Sequence, residues 1–286
     1  MTTDIRPPAV AGAFYEATAD RLRAEIEASY TSLLGPGDVP IVGVGPRRLF
    51  GIMAPHAGYL YSGAGAAWAY TAAARDGRPA VVVILGINHR GVGAPLALSP
   101  AAGWRTPLGV MPVAQQLNEQ LLKLDNDLRL DATAHAMEHS LEVQVPFLQY
   151  TFGEMPIVPI VIGHVAWPAI ERLGAALAHL ATQVDLLVVA SSDLSHYIPQ
   201  QQAVALDALA LKHLAAVDAE GLLDTVMKNG ITMCGVLPTA AMLHAARRGG
   251  ATYSKILHYH TSGDVSGDLE RVVGYGAAAI YHESSK

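Results

Sequence analysis

The sequence contains very little cysteine and comparatively little charge. Cys234 is the single cysteine among 286 residues, so the chain cannot form an internal disulfide, which is typical of proteins from a reducing cytoplasm. Charged residues make up 15% of the chain, and 25 acidic residues outnumber 19 basic ones. The basic residues are scattered, whereas a nucleic-acid surface needs a basic stripe. We therefore expect no nucleic-acid partner.

Long hydrophobic runs are also absent. The most apolar stretches, PAVVVILGI and MPIVPIVIG, are too short to span a bilayer. The first residues, MTTDIRPPAV, do not place a basic region before an apolar one as a signal peptide does. We expect a soluble, unexported cytoplasmic protein that has no membrane partner.

Apolar residues are nevertheless plentiful, at 51% of the chain with a mean hydropathy of +0.27. Runs of β-branched residues alternate with Ala- and Leu-rich segments at helical spacing, which predicts an α/β fold with a mostly parallel central sheet and helices on both faces. No linker-like or highly charged segment divides the chain, so we predict a single domain over 1–286. The predicted strands are 49–54, 80–85, 156–162, 185–191, 252–259 and 271–282, and the predicted helices are 17–32, 63–75, 113–124, 138–151, 167–183, 202–216, 218–228 and 233–247.

Histidine recurs where the predicted strands end. His56, His89 and His164 follow three strands, and a fourth runs into SSDLSHY, which contains Asp193 and His196. In open α/β sheets, ligands bind beyond the carboxyl ends of the strands. A hydrogen bond to a loop carbonyl is the simpler interpretation for a lone histidine, and we keep it for His164, which has no other polar chemistry beside it. The other strand ends together predict a site.

Cys234 lies in GITMCGVLP, at the predicted start of the helix over 233–247. By itself, a cysteine usually packs as a small buried hydrophobe. A helix N-terminus favours the thiolate, however, and the thiolate is the form that binds metal or attacks an electrophile. Together with two of the strand-end histidines, it would form a three-ligand metal site with open positions.

A competing motif is HAMEH, from His135 to His139. It matches H-x-x-E-H, the inverted zincin pattern, in which two histidines one helical turn apart hold zinc and the glutamate is the base. The match is short and therefore weak. The apolar stripe in the following SLEVQVPFLQY predicts a helix that packs on the sheet, and the simpler interpretation of His135 is a solvated residue before it.

Six blocks of the sequence together resemble the Memo family. They are RPPAVAGAFY (6–15), APHAGYLYSG (54–63), ILGINH (84–89), EHSLEVQVPFLQ (138–149), SSDLSHY (191–197) and TMCGVLP (232–238), and they follow the family's order. The bacterial and archaeal members are named as the B component with AMMECR1-like and radical-SAM proteins, so the resemblance implies partners of those kinds. The family's block begins at Glu138 and does not require His135, which disfavours zincin chemistry.

The resemblance implies a fold similar to the LigB-type class III extradiol dioxygenases, which open catechol rings with non-haem Fe(II) and O2. It places the metal ligands on His56, His89 and Cys234, with Asp193 and His196 lining the same pocket. The dioxygenases have a carboxylate as the third ligand, so Cys234 departs from their pattern although not from that of the Memo family.

Such a site has a definite chemistry. Two neutral imidazoles and one anionic ligand leave open faces on Fe(II) for a catecholate and O2, although a thiolate also suits Cu or Zn. His196 would act as the catalytic acid and base, with Asp193 or Ser195 fixing its tautomer. The residues predicted to orient the metal ligands by hydrogen bonds or to line the pocket are Tyr59, Tyr61, Glu138, His139, Glu142, Ser195 and Tyr197. Tyr15 and Trp104 are further aromatic candidates for stacking on a substrate.

Three functions remain open at this point. The first is a metal-dependent, dioxygenase-like oxidoreductase that acts on a small aromatic substrate with O2. The second is a non-catalytic metal- or peptide-binding scaffold that works with a radical-SAM partner system. The third is a hydrolase or transferase with Cys234 as the nucleophile and His196 as the base. The sequence indicates neither the substrate nor the oligomeric state.

Overall fold

The chain is built around one large mixed β-sheet with helices on both faces. A computed structural model describes residues 4–282, so both ends of the predicted 1–286 domain lie outside the described residues. The strands are β1 (Ile5–Arg6), β2 (Leu49–Ala54), β3 (Val81–Ile87), β4 (Leu96–Leu98), β5 (Gly103–Thr106), β6 (Gly109–Pro112), β7 (Arg129–Leu130), β8 (Ile157–Ile162), β9 (Leu186–Ser191), β10 (His196–Ile198), β11 (Ala251–Thr261) and β12 (Val272–His282). The helices are α1 (Ala19–Thr31), α2 (Tyr59–Asp76), α3 (Gln115–Leu124), α4 (Ala132–Ala136), α5 (Gln144–Phe152), α6 (Trp167–Ala181), α7 (Gln200–Ala215), α8 (Ala219–Asn229), α9 (Val236–Arg248) and α10 (Gly263–Ser266).

Four parallel strands form the centre of the large sheet, in the order β2, β9, β3 and β8. Antiparallel pairings extend it, through β12 and then β11 on one side and through β4 on the other. A separate small sheet contains β1, β5 and β6. The predicted α/β fold is therefore confirmed, although the sheet is mixed rather than mostly parallel.

The central strands read as continuous apolar runs because both of their faces are buried. In β3, Val81 and Val83 face one hydrophobic core, while Val82 and Ile84 between them face the other. Helices α6 and α9 pack together on the first side, and α9 also contacts β2, β3 and β9. Helices α1, α2 and α5 cover the opposite side. This double coverage leaves the strand ends as the place where loops converge.

The predicted strands are all present, with boundaries shifted by at most two residues, but the short strands β1, β4 to β7 and β10 were not predicted. The predicted helix over 138–151 is wrong in its first part, because residues 138–143 are not helical, with turns over 140–143, and α5 begins at Gln144. The Glu138 carboxylate accepts the backbone N–H groups of His139 and Ser140, which favours a turn over a helix here. The other predicted helices are present with ends shifted by up to four residues.

Between residues 4 and 282, no helix combines the length and the apolar character that crossing a membrane requires.

Candidate metal centre

The parallel pairing of the central strands brings their carboxyl ends to one edge of the sheet. Ala54 at the end of β2 is paired with Ser191 at the end of β9, and Ile87 at the end of β3 is paired with Ile162 at the end of β8. The segments that follow carry the histidines and Asp193, so residues far apart in sequence meet at this edge. This register explains why the strand-end pattern of the sequence points to one place.

Three of the predicted site residues come together at this edge. The ligand atoms of His56, His89 and Cys234 all lie within 4.8 Å of one another. Nε2 of His56 is 3.2 Å from Sγ of Cys234, and the two imidazole rings stand nearly perpendicular with their centroids 5.2 Å apart. His56 is buried, whereas His89 and Cys234 are partly exposed. The cluster is therefore enclosed on the His56 side and open on the other.

Hydrogen bonds fix which nitrogen of His56 faces the thiol. Oγ of Ser191 donates to the carbonyl of Ser140 and accepts from Nε2 of Gln144 at 2.8 Å. Because its proton is used in this way, Ser191 Oγ accepts the proton on Nδ1 of His56, 3.0 Å away. Burial, and then the neighbouring His89, lower the pKa of His56 to about 3, so the ring is neutral. Nε2 consequently presents a free lone pair towards Cys234.

Glu138 orients the ring of His89 as Ser191 orients that of His56, by accepting the proton on Nδ1. Its two carboxylate oxygens accept the ring Nδ1–H of His89 at 2.9 Å and the backbone N–H of His89 at 2.7 Å. Burial alone would raise the pKa of Glu138, but the hydrogen bond and the charge of His89 lower it to about 2. The carboxylate therefore stays ionised and leaves Nε2 of His89 free.

A second group that overlaps the first contains His89, Glu138 and His139, whose ligand atoms also lie within 4.8 Å. The carboxylate is already occupied, because it accepts N–H groups from His89, His139 and Ser140. The ring of His139 stacks on that of His89 at 4.5 Å, and burial lowers the pKa of His139 to about 4. We therefore assign Glu138 and His139 to orienting His89 rather than to holding a metal.

Cys234 differs from the prediction in its chemistry. It lies two residues before α9, next to the cap residue Gly235, rather than inside the helix. Burial, and then the carboxylate of Asp193, raise the pKa of the thiol, so in the absence of a cation it is protonated. Gly235 allows the close approach, since a Cβ atom there would lie 2.3 Å from the carbonyl oxygen of Ser191. The helix N-terminus does not by itself produce a thiolate.

The donor set fits a divalent transition-metal ion. Two imidazoles each have Nδ1 engaged and Nε2 free of protein hydrogen bonds, beside a thiol that only a nearby cation would ionise. Iron, copper and zinc all accept nitrogen and sulfur ligands. His56, His89 and Cys234 thus form a candidate metal centre.

Comparison with known proteins identifies the family. A family model described as Memo-like protein matches residues 6–279. The chain is 45% identical over 280 residues to a MEMO1 family protein of Ignicoccus hospitalis, covering 96% of this chain and 97% of that one. It is 43% identical over 275 residues to a MEMO1 family protein of Methanopyrus kandleri, with 95% and 97% covered. The chain belongs to the Memo family.

The fold is also similar to a solved structure. An uncharacterised protein from Escherichia coli K12 superposes with a TM-score of 0.55 at 17% identity, covering 81% of the Memo-family chain and 99% of its own. At this identity the likeness concerns the fold alone.

Asp193 and His196 lie beside the centre in this Memo-family protein, but Asp193 does not hydrogen-bond to His196 as expected. Asp193 is buried, and its carboxylate accepts the backbone N–H of His56 at 2.7 Å, while burial raises its pKa. Nδ1 of His196 donates to the carbonyl of Thr232, 2.9 Å away, so Thr232 fixes the tautomer, not Asp193 or Ser195. Ser195 instead hydrogen-bonds Asp207 through Oγ at 2.6 Å. No sequence pattern had pointed to Thr232.

The inverted zincin interpretation of HAMEH is contradicted by the geometry. His135 lies in α4 and His139 in the following turn, so they do not face one another on one helix. His135 is buried, not solvated, with Nε2 donating to the carbonyl of Ala97 at 3.0 Å. Because burial lowers the pKa of His135 to about 4, this residue is neutral at pH 7.

Glu142 was predicted to orient the ligands, but it binds the N-terminal segment of the Memo-family chain. Its carboxylate pairs with Arg6 at 2.7 Å and accepts the hydroxyl of Tyr15, also at 2.7 Å. Arg6 in turn donates to the carbonyls of His135 and Glu138. Glu142 thus ties the N-terminal segment to the turn that carries Glu138, and it does not contact the ligand histidines.

A cleft of about 840 Å³ opens beside His89 and Cys234. The aromatic residues predicted to stack on a substrate are not in its lining: Tyr59 is buried with its hydroxyl on the carbonyl of Val143, and Tyr15 and Trp104 are also buried. Tyr61 and Tyr197 are exposed elsewhere, Tyr197 with a left-handed φ of 60°. The aromatic residue that does line the cleft is Trp167, with His164 from the same loop. Sequence reasoning missed Trp167 and set His164 aside.

Proposed function

We propose that this Memo-family protein is a metal-dependent, dioxygenase-like oxidoreductase that acts on a small aromatic substrate. The observation that carries the proposal is the convergence of two free imidazole Nε2 atoms, on His56 and His89, with the thiol of Cys234. The cleft beside these residues supports it, since its volume is that of a small-molecule site.

Each residue of the candidate site would have a distinct role. His56, His89 and Cys234 would hold the ion, and bound Fe(II) would supply open positions for a substrate oxygen and O2, with Cu or Zn as alternatives. His196 carries its proton at Nδ1 on the Thr232 carbonyl, which leaves Nε2 to accept a proton from a substrate hydroxyl. Asp193 holds the loop after β2 through the backbone N–H of His56 and adds negative charge beside the thiol.

One observation favours a second function, a metal-free cysteine enzyme. Nε2 of His56 is 3.2 Å from Sγ of Cys234, which is the spacing of a nucleophile and its base. In that case His56, rather than His196, would be the base. Burial and the neighbouring Asp193 oppose it, because both disfavour the thiolate.

Metal analysis of protein purified without oxygen tests the first function and separates it from the second. The parent should contain near-stoichiometric iron or copper, and His56→Ala, His89→Ala and Cys234→Ser should each lose it. His179→Ala, at an exposed helix position, is the matched control and should retain the metal. A folded Cys234→Ser variant with unchanged metal content would reject the centre.

Oxygen consumption with a panel of catechols then tests the reaction. The metal-loaded parent should consume O2 with at least one catechol, and His196→Ala should reduce the rate without releasing metal. A protein that binds metal but consumes no O2 with any catechol would contradict the oxidoreductase and favour a metal-binding scaffold.

A further inference from the structure

The cleft beside the candidate metal centre is largely apolar, and its lining contains no carboxylate, lysine or arginine side chain. None of its fourteen lining residues is Asp, Glu, Lys or Arg, and His89 and Cys234 are among the fourteen. Its walls include Leu223, Met233 and Leu237. An anionic group enclosed in the part of the cleft away from His89 and Cys234 would lose hydration without gaining a lysine or arginine side chain, which is costly. The lining therefore selects against carboxylate- and phosphate-bearing molecules.

His164 presents a free imidazole to this cleft. It follows the end of β8, is exposed, and lines the cleft together with His89. Its ring makes no hydrogen bond to any residue between 4 and 282, whereas we had expected a bond to a loop carbonyl. Its ring nitrogens are thus free to hydrogen-bond to a ligand hydroxyl group.

Trp167 supplies a flat apolar surface three residues later. It is the first residue of α6 and is partly exposed in the cleft lining. The ring of His244 packs against it edge-on, with the centroids 5.7 Å apart and the planes at 79°. This contact with a residue of α9 restricts the motion of the indole. An aromatic side chain that is already restricted loses little conformational entropy when a ligand ring stacks on it.

We propose that the cleft binds an uncharged molecule with a flat apolar ring, which stacks on Trp167 and hydrogen-bonds to His164 through a hydroxyl group. That this ligand is the substrate of the metal centre rests on the proposed function. It assigns recognition to the segment from His164 to Trp167, between β8 and α6, which lines the cleft together with His89 and Cys234. Met227, which is 73% exposed at the cleft, adds a flexible side chain that adapts to the ring's substituents.

Binding of three simple probes to the full-length protein without oxygen tests the ligand class. The probes are phenol, toluene, which lacks the hydroxyl, and 4-hydroxybenzoate, which adds a carboxylate. Phenol should bind most tightly, toluene more weakly, and 4-hydroxybenzoate about tenfold more weakly than phenol. Binding of 4-hydroxybenzoate as tight as that of phenol would overturn the proposal.

Variants test the two residues separately. Trp167→Ala should lower the binding affinity for all three probes by about tenfold, and Trp167→Phe should retain most of the parent's affinity. His164→Ala should lower the affinity for phenol but leave the affinity for toluene unchanged. A purely structural role of His164 would not produce this difference. His179→Ala, on the same helix but outside the cleft lining, is the control and should bind like the parent. Equal affinities in the parent and a folded Trp167→Ala variant would reject the assignment.

The same titration on His56→Ala separates this inference from the proposed function. His56 does not line the cleft, so toluene should still bind when the metal is lost. In the metal-loaded parent, toluene binding without O2 consumption from any catechol would reject the oxidoreductase and keep the cleft assignment. Metal binding with no probe bound in the cleft would reject the cleft assignment alone.

Discussion

Glu138 accepts hydrogen bonds from both the ring and the backbone of His89, at 2.9 and 2.7 Å. The two residues are 49 positions apart in sequence. Gly86 makes the approach possible, because a Cβ atom there would lie 2.6 Å from Oγ of Ser140, in the turn that carries Glu138. The orientation of one candidate ligand therefore depends on a turn from another part of the chain.

Replacing Glu138 should weaken metal binding without removing a ligand. In Glu138→Gln the acceptor for the His89 ring loses its charge, and we expect metal affinity to fall about 10- to 100-fold. Competition with a chelator measures this change. Glu119→Gln, at an exposed position of α3, should bind metal like the parent. A metal affinity in Glu138→Gln equal to that of the parent would show that Glu138 does not support metal binding.

Ser191 should matter through the tautomer of His56. Ser191→Ala removes the acceptor for Nδ1 of His56, so the proton is free to move to Nε2, the atom that faces the thiol. We expect metal affinity to fall by about tenfold or more. The nitrogen chemical shifts of the His56 ring in the metal-free protein report the tautomer directly. Unchanged shifts would show that another contact fixes it.

Arg6 should be important for stability. It forms a buried pair with Glu142, so Arg6→Met leaves a buried carboxylate without its cation and should cost about 3–5 kcal/mol of unfolding free energy. Arg21→Met, which loses an exposed pair with Glu16, should cost about 0–1 kcal/mol. Urea unfolding measures both. Similar small losses in the two variants would contradict the role of Arg6.

Acid should destabilise the protein partly through His135. Burial lowers the pKa of His135 to about 4 in the folded state, against 6.5 when unperturbed. Between these values the unfolded chain binds a proton that the folded chain does not, so stability falls as the pH decreases from 6.5 to about 4 and is unaffected by this group above 6.5. His135→Gln keeps a donor for the Ala97 carbonyl and should lose less stability over that range.

Urea unfolding of the metal-free protein at several pH values checks this prediction. His179→Gln, at an exposed position, should show the pH dependence of the parent. A His135→Gln variant that is as acid-sensitive as the parent would assign the effect to other groups.

The sequence was sufficient where local patterns determine structure. β2 has the boundaries predicted from LFGIMA, because a run buried on both faces is apolar throughout. His56 and His89 could be placed at one edge, since parallel strands end together. The predicted helix start made Cys234 a candidate ligand or nucleophile, and the family resemblance then assigned it to the metal site.

The sequence was misleading where distant contacts override local patterns. EHSLEVQVPFLQ has helical periodicity, yet its first six residues are not helical, because Glu138 binds His89 and Glu142 binds Arg6, 136 residues away. Tyr59 follows His56 closely, but its position at the start of α2 directs its hydroxyl to Val143 instead of the cleft. His164 shows no chemistry in its own segment, and only the fold places it beside His89.

The thiol of Cys234 meets His56 across 178 positions of sequence. During synthesis, the first histidine therefore emerges long before the cysteine, and no chain that ends before residue 234 holds the full ligand set. Loading of the proposed metal would thus come late in translation or after it. The newly made protein would exist first without its ion, and an ion at 100 times its Kd would then stabilise it by about 2.7 kcal/mol. Metal supply would thus influence how long each new molecule survives proteolysis.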